Sequence, residues 1–299
     1  MIELRDATSA DTPAIKALIE AAEPGDRSAQ TDVRGVAQWR EPDDWADVVV
    51  AEENGAMVGY GSLLWPGSPT SRNIHALVHP RWRRRGVGRQ LVAWLQARAD
   101  AAGQTLVGSY HSDIEAAAAF VAALGGRLMG RWHEMVADPL PNFAAPALRD
   151  GYTLRHAVRG HDEAHFAEVF RDSFSEHRFM QTPSVESVGR RWSQPQFDGN
   201  HIAFAERAGA IVGVSAIRSA VTYRGDQLVS AGHIGPVGIR AAHRGRGLAR
   251  ALMIDNLNYA VRAGWQTASL AVDEINHHAQ ALYRSLGFKH VHDWVWWQL

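Results

Sequence analysis

Apolar and polar residues alternate at the start of the chain and again near its middle, and each alternation gives way to a helical period. Ile2 and Leu4 alternate with Glu3 and Arg5, which predicts a strand over residues 2–7. Ser9 or Asp11 can cap the helix that follows, Pro13 suits its first turn, and Ile15, Leu18 and Ile19 form its apolar stripe. Residues 152–157 repeat the strand, and Phe166, Val169 and Phe170 repeat the stripe. Two hairpins follow the same logic: residues 47–52 and 57–64 about Asn54-Gly55, and residues 201–206 and 211–217 about Ala208-Gly209. A third strand, residues 73–78 or 233–239, runs into a glycine turn. A long helix follows, with Val87, Leu91, Trp94 and Leu95 on one face, or Leu248, Ala251 and Leu252. Each half closes with a strand, a short helix and a last strand, the final one near residues 290–296.

The halves therefore share more than a pattern. AEENGAMVG at 51–59 returns as AERAGAIVG at 205–213, and RRRGVG at 83–88 returns as RGRGLA at 244–249. The offset is 154 residues at the hairpin and 161 at the glycine turn, so the second copy is longer between these landmarks. Residues 139–150 hold Pro139, Pro141 and Pro146 with neither a helical nor a strand period, and read as a linker. The organisation expected is an α/β, or mixed α+β, pair of domains at 1–138 and 151–299, each a mostly antiparallel sheet flanked by helices.

Composition narrows the function. The 299 residues suffice for two domains with sizeable cores, and 46% hydrophobic with 21% charged residues is ordinary globular usage. A formal charge of −1 argues against a dedicated nucleic-acid binder, leaving Arg81 to Arg89 as the one basic run that would need salt-dependent binding to count as such. No cysteine is present, which excludes a disulfide framework, a thiol nucleophile and a cysteine-ligated metal. The polar opening residues do not read as a signal peptide, and no apolar run is long enough for a membrane span, so a cytoplasmic protein is expected.

The glycine turn carries the first chemistry. Glycine lets backbone approach a ligand closely, and the first N–H groups of the following helix point outward with the positive end of its dipole. A phosphate is the natural occupant. Arg244, Gly245, Arg246, Gly247, Leu248, Ala249 and Arg250 form this cradle in the second copy; Arg83, Arg84, Arg85, Gly86, Val87, Gly88 and Arg89 form it in the first, after Val78. Neither a P-loop lysine nor three-glycine dinucleotide spacing is present. A solvated basic loop is the plainer reading of one such turn, and the matched pair weighs against it.

Strand, Arg-x-x-Gly-x-Gly/Ala, long helix, strand, and then NHHAQALYRSLGF at 276–288 together resemble the GNAT superfamily of acetyl-CoA-dependent acyltransferases. The resemblance spans both halves, and the architecture is similar to that of mycothiol synthases and other tandem GNAT proteins. It implies that Val237, Gly238 and Ile239 pair with the pantetheine amides on a bulged strand, and that a main-chain N–H there polarises the thioester carbonyl. It implies that the Arg244–Arg250 turn holds the pyrophosphate, that Asn276 touches the cofactor arm, and that Tyr283 donates a proton to the departing sulfur. The amine's proton needs an acceptor: His233 is the first candidate, with Glu176 and His177 as alternatives. Asp172, Glu176 and His177 are expected to face the acceptor. No metal site is expected; His290 and His292 alone are thin grounds for one.

The residues also admit plainer roles. Asn276 is a good helix N-cap, Gly287 a good C-cap, and Tyr283 a suitable core residue. In the first copy Val121 stands opposite Tyr283 and Ile114 opposite Asn276, while Ser112-x-x-Glu115 predicts a capping box. The first domain is thus expected to be catalytically degenerate, and the second to be an N-acetyltransferase acting on the primary amine of a small polar molecule. A peptide- or antibiotic-modifying enzyme, or a non-catalytic CoA-sensing protein, are the alternatives. Nothing in the sequence separates a monomer from a homodimer.

Overall fold

The computed structural model describes residues 1–22, 45, 47–68, 70–175, 182–193, 200–224 and 227–299. In chain order it contains β1 (Ile2–Asp6), α1 (Thr12–Ala22), β2 (Val48–Glu53), β3 (Ala56–Ser68), β4 (Ser71–Val78), α2 (Val87–Ala101), β5 (Thr105–His111), α3 (Glu115–Ala123) and β6 (Arg127–Ala137). Then follow β7 (Tyr152–His156), α4 (Glu163–Phe174), α5 (Val185–Trp192), β8 (His201–Arg207), β9 (Ala210–Arg224), β10 (Gln227–Ile239), α6 (Leu248–Arg262), β11 (Thr267–Asp273), α7 (His277–Ser285) and β12 (Lys289–Gln298). These form two compact units, residues 1–132 with 293–299, and residues 133–292.

Within the first unit the strands run β1-β2-β3-β4-β5, antiparallel except for a short parallel ladder between β4 and β5. The second unit repeats this as β7-β8-β9-β10-β11, with β10 and β11 parallel. Each hairpin turns through two left-handed residues, Asn54 and Gly55 or Ala208 and Gly209, the geometry that suits strand twist. In the first unit α1 buries Ile15, Leu18 and Ile19 against Val48, Val50 and Tyr60. Each such aliphatic side chain contributes roughly 1.5–3 kcal/mol. On the other sheet face α2 buries Leu91 and Leu95 against Val49 and Val58.

The last strand departs from the simple repeat. Residues 294–298 of β12 pair antiparallel with β5 and belong to the first unit, while residues 133–137 of β6 belong to the second. Packing explains both. Val295 and Trp297 are buried, and Gly108 on β5 leaves room for the Trp297 ring, which a Cβ there would meet at 2.7 Å. Met135 and Ala137 are buried in the second unit's core with Leu270 and Phe288. Residues 140–149 carry no helix or strand, yet they are docked: the Phe143 N–H donates to Asn258 Oδ1 at 3.2 Å, and Leu140 and Phe143 pack against the same core.

A polar clamp is also duplicated. Arg5 donates to both oxygens of Asp11, at 2.9 and 2.7 Å, and to Glu52. Arg155 makes the same bonds to Asp162, at 2.7 and 2.8 Å, and to Glu206. Asp11 and Asp162 each also accept a backbone N–H, from Thr8 and Val158. Each clamp ties the first strand, the helix entry and the second strand together.

The seven-residue difference between the copies now has a location. In the first unit Leu63 pairs with Ile74 and Gly61 with Ala76, without interruption. In the second Ile217 pairs with Ile234 but Ser215 with Val237, so β10 carries one extra residue in a bulge. The other six lengthen the β9–β10 hairpin beyond the Ile217–Ile234 pair.

Candidate active site

The parallel ladder between β10 and β11 ends early. Ala231, Gly232 and His233 pair with Thr267, Ala268 and Ser269; past the bulge β10 continues to Ile239 and, among the described residues, pairs only with β9. Among the described residues the edge of Val237, Gly238 and Ile239 that faces away from β9 has no ladder partner, so an extended amide ligand can dock there by main-chain hydrogen bonds. Helix α4 lies directly over this strand: a Cβ on Gly238 would come within 2.7 Å of Ser173 and Phe174.

The glycine turn opens beyond. Gly245 and Gly247 have φ of 76° and 78°, and nothing lies within 4 Å of an added Cβ at either. Gly247 is the N-cap of α6 and offers no side chain to the first N–H groups, which stay available to an anion. The arginines divide in use. Arg244 turns back and donates to the carbonyls of Ile239 (3.1 Å) and Ser173 (3.2 Å), bracing the turn against strand and helix. Arg250 donates to Ser285 Oγ at 2.8 Å, and Arg246 stands 3.9 Å from Asp150 with its head otherwise accessible.

Tyr283 lies on α7 with its ring in the core beside Leu286 and Phe288, and it is only 8% exposed. Its hydroxyl makes no hydrogen bond among the described residues. Burial pushes its pKa up to about 12, which keeps the phenol protonated. Asn276 caps the same helix, its amide oxygen accepting from the Ala279 N–H at 3.2 Å. An acyl-CoA fits these features: a strand edge for amides and a phenol, neither with a partner among the described residues, and an uncapped helix start for phosphates.

One face of the second sheet carries a polar row. His233 on β10 is paired with Arg218 on β9 and with Ser269 on β11, so all three side chains share a face, and His233 Nδ1 lies 3.0 Å from Ser269 Oγ. Burial, and then the charge of Arg218, hold the His233 pKa down to about 3, so the imidazole is neutral at pH 7 and a weak proton acceptor. It nevertheless keeps some accessible surface. Asp172 lies on α4, hydrogen-bonded to Arg171 (3.2 Å) and 3.4 Å from Arg240. Glu176 and His177 lie outside the described residues.

The first unit keeps the turn but changes its contents. Gly86 caps α2 as Gly247 caps α6, and Arg83 donates to the Val78 carbonyl as Arg244 does to Ile239. Arg84, however, adopts a left-handed φ of 63° where the second copy has glycine. Arg89 reaches the Ala123 carbonyl at 3.4 Å, and Arg85 stands 3.9 Å from Glu53. The strand bulge is missing, and Val121 occupies the seventh position of α3, as Tyr283 does of α7. Phe120 packs where Val78 approaches Gly88, its ring 3.2 Å from the place of a Cβ on that glycine. Ile114 caps α3 without a side-chain bond, so the expected Ser112–Glu115 capping box does not form; the Ser112 hydroxyl accepts from the Asp293 N–H instead, at 3.0 Å.

Comparison with known proteins gives the same reading twice over. Residues 165–288 match the acetyltransferase (GNAT) family, and residues 44–125 match an acetyltransferase (GNAT) domain. A mycothiol acetyltransferase of Thermobispora bispora is 32% identical over 292 residues, covering 96% of this chain and 95% of its own. That of Parafrankia sp. is 30% identical over 306 residues, covering 96% and 94%. Among solved structures, a GCN5-related N-acetyltransferase from Sphaerobacter thermophilus aligns over the whole chain and 95% of its own, with TM-score 0.74 and 25% identity. A tandem GNAT protein from the clavulanic acid biosynthesis pathway, at 22% identity and TM-score 0.77, shares the fold. The chain belongs to the GNAT acetyltransferase family and carries its domain twice; it is an N-acetyltransferase. No helix among the described residues is long and apolar enough to cross a membrane.

Proposed function

We propose that the second unit transfers the acetyl group of acetyl-CoA to the primary amine of a small polar molecule by direct attack, and that the first unit retains the fold without this chemistry. What supports the reading is Tyr283, without a hydrogen-bond partner among the described residues, in the core cluster that Val237 packs against. Val237 lies on a bulged strand edge, with no ladder partner among the described residues, that leads into an uncapped helix start. Val237 to Ile239 then pair with the pantetheine amides, and a main-chain N–H of the bulged strand stabilises the oxyanion. The Gly245–Gly247 turn and the head of Arg246 receive the pyrophosphate. Arg244 acts by holding the turn in shape.

The amine nitrogen attacks the thioester carbon, the C–N bond forms, and the C–S bond breaks. With a pKa of about 12, well above the ~8.5 of an ordinary thiol, Tyr283 serves the sulfur chiefly as a hydrogen-bond donor while negative charge develops. His233 takes the amine's proton from the tetrahedral adduct, and Ser269 fixes its ring. The relatives named mycothiol acetyltransferases support a thiol-bearing or sugar-linked amine as one member of the acceptor class.

The test is thiol release from acetyl-CoA across a panel of amines. The chain has no cysteine, so with thiol-free amines a thiol reagent reports only the CoA set free; with a thiol-bearing amine the acetylated product is followed instead. At least one amine should raise release tenfold or more above hydrolysis without acceptor. Release that no amine in a broad panel accelerates would favour a protein that binds CoA without catalysis.

A further inference from the structure

Where β7 ends and β8 begins, an apolar seam closes on three side chains that can ligate a metal. Tyr152 and Leu154 alternate on β7, and Ala203 and Ala205 on β8, to pack with Leu248 and Leu252 of α6. His156 continues the β7 alternation and pairs with Ala203, while His201 stands two residues before Ala203 on β8. Both imidazoles therefore reach the face that α6 covers. Asp255 follows Leu252 by three residues, so the same helix stripe presents its carboxylate to them. The three positions lie 45 and 54 residues apart in the chain, and no ligand spacing marks them.

His201 Nε2 lies 2.7 Å, and His156 Nε2 3.5 Å, from one and the same oxygen, Asp255 Oδ2. The two imidazole rings meet edge to face at 4.3 Å, and the three donor atoms all lie within 4.8 Å of one another. Tyr259, one turn further along α6, stacks on His201 at 4.4 Å and 10°, which fixes the plane of that ring. A hydrogen bond from strand to helix is the plainer use of His201 and Asp255. It does not account for His156, whose side chain is 58% exposed and yet turns its Nε2 to the shared oxygen. Zinc bonds of about 2.0–2.1 Å at a tetrahedral angle set neighbouring donors roughly 3.3 Å apart. The His156–Asp255 distance is close to that value, and the His201–Asp255 pair has to open by only about 0.6 Å.

Unlike the arginine clamp, this cluster is not duplicated. By strand register and helix position, Asp6, Asp47, Trp94 and Arg98 correspond to His156, His201, Asp255 and Tyr259. In the first unit Arg98 donates to Asp6 at 2.9 Å and lies over the Trp94 ring, and Arg72 pairs with Asp47. Guanidiniums meet the carboxylates there; in the second unit imidazoles do, and imidazoles can ligate.

We propose that His156 Nε2, His201 Nε2 and Asp255 Oδ2 bind one divalent transition-metal ion of the zinc class, with water as the fourth ligand. Two imidazoles and a carboxylate suit zinc, whereas Mg²⁺ and Ca²⁺ take sets of oxygens. The ion replaces the proton that joins His201 to Asp255, and that proton leaves to solvent. Asp255 stands eight residues beyond Gly247, about 12 Å along α6. The ion thus braces β7, β8 and the middle of the helix whose start is the phosphate cradle, and takes no part in acyl transfer.

The test is calorimetric titration of the tag-free, chelator-stripped full chain with Zn²⁺. The chain has 15 histidines, so the comparison with variants decides rather than the amount bound. Wild type should show a site that His156→Ala and Asp255→Asn each weaken tenfold or more. His156 is exposed, so if Asp255→Asn fails to fold, His156→Ala decides alone. Zn²⁺ at a hundred times the wild-type Kd should raise the wild-type melting temperature by roughly 5–10 °C. His156→Ala should gain at most half as much, and Mg²⁺ should shift neither protein. No zinc binding by wild type, binding that His156→Ala leaves unchanged, or an equal shift with Mg²⁺ overturns the site. Neither readout requires turnover, so the outcome is independent of the acetyl-transfer reading.

Discussion

Tyr283→Phe is expected to lower kcat roughly a hundredfold, the lower range for a lost proton donor, while acetyl-CoA affinity changes little. The substitution removes one oxygen from a buried ring, and that oxygen has no hydrogen-bond partner among the described residues. The fold therefore has little to lose, and the melting temperature should stay within about 2 °C, the shift of at most about 1 kcal/mol in a domain of this size. Because burial holds the phenol pKa at about 12, no alkaline limb from Tyr283 should appear in kcat below about pH 10. Steady-state thiol release at saturating acceptor and acetyl-CoA is the check. Unchanged kcat with unchanged melting would make Tyr283 a core residue and no more.

The second large effect concerns stability. Asp162→Ala should cost about 3 kcal/mol, because it strands Arg155 and the Val158 N–H at a site where the carboxylate is nearly buried. Arg155 keeps Glu206, which holds the loss near the low end for a broken buried pair. The melting temperature of the second unit should fall by roughly 6–12 °C. The sign with pH follows from the Arg155 guanidinium, which holds the Asp162 carboxyl below the usual carboxylate range. The contribution is fully present above the unfolded pKa near ~4 and is lost as pH falls through the lower folded value. The gap between wild type and variant should thus be flat from pH 8 to 5 and close in acid. Asp11, held by Arg5 at a pKa of about 2, should behave likewise in the first unit. A loss under 1 kcal/mol at pH 7 would mean the clamp is ornamental.

Much of this was legible because it is local. The Asn54-Gly55 and Ala208-Gly209 turns fix hairpin register within a few residues, and the glycine turn, strand and helix lie adjacent in the chain. Aligning Leu124-Gly125 with Leu286-Gly287 put Val121 opposite Tyr283, and the two do occupy the same helical position. Features that depend on distant partners were not legible. The ends of β6 and β12 pass to different units because of Trp297 against Gly108 and Met135 against Leu270, contacts no local period encodes. Ser112 has the spacing of a cap but bonds Asp293, 181 residues away. The bulge at β10 was hidden in a seven-residue offset that mixed one extra residue with a longer hairpin. The sequence context of Arg244 cannot show that its guanidinium reaches the Ile239 and Ser173 carbonyls. The clamps did leave a trace: Arg5, Asp11 and Glu52 recur as Arg155, Asp162 and Glu206, a charged trio repeated where surface charges have no reason to repeat.

The duplication would thus have left two phosphate cradles and one reaction centre. The second unit has the bulge, the left-handed Gly245 and Tyr283; in the first an uninterrupted strand, Arg84 and Val121 stand in their places. The direct measurement is kcat/KM for acetyl-CoA in Gly247→Val and Gly86→Val, each forcing a β-branched side chain into a left-handed N-cap. The loss in the Gly247 variant should exceed that in the Gly86 variant tenfold or more. Equal losses, or a larger one at Gly86, would contradict the assignment of acetyl transfer to the second unit.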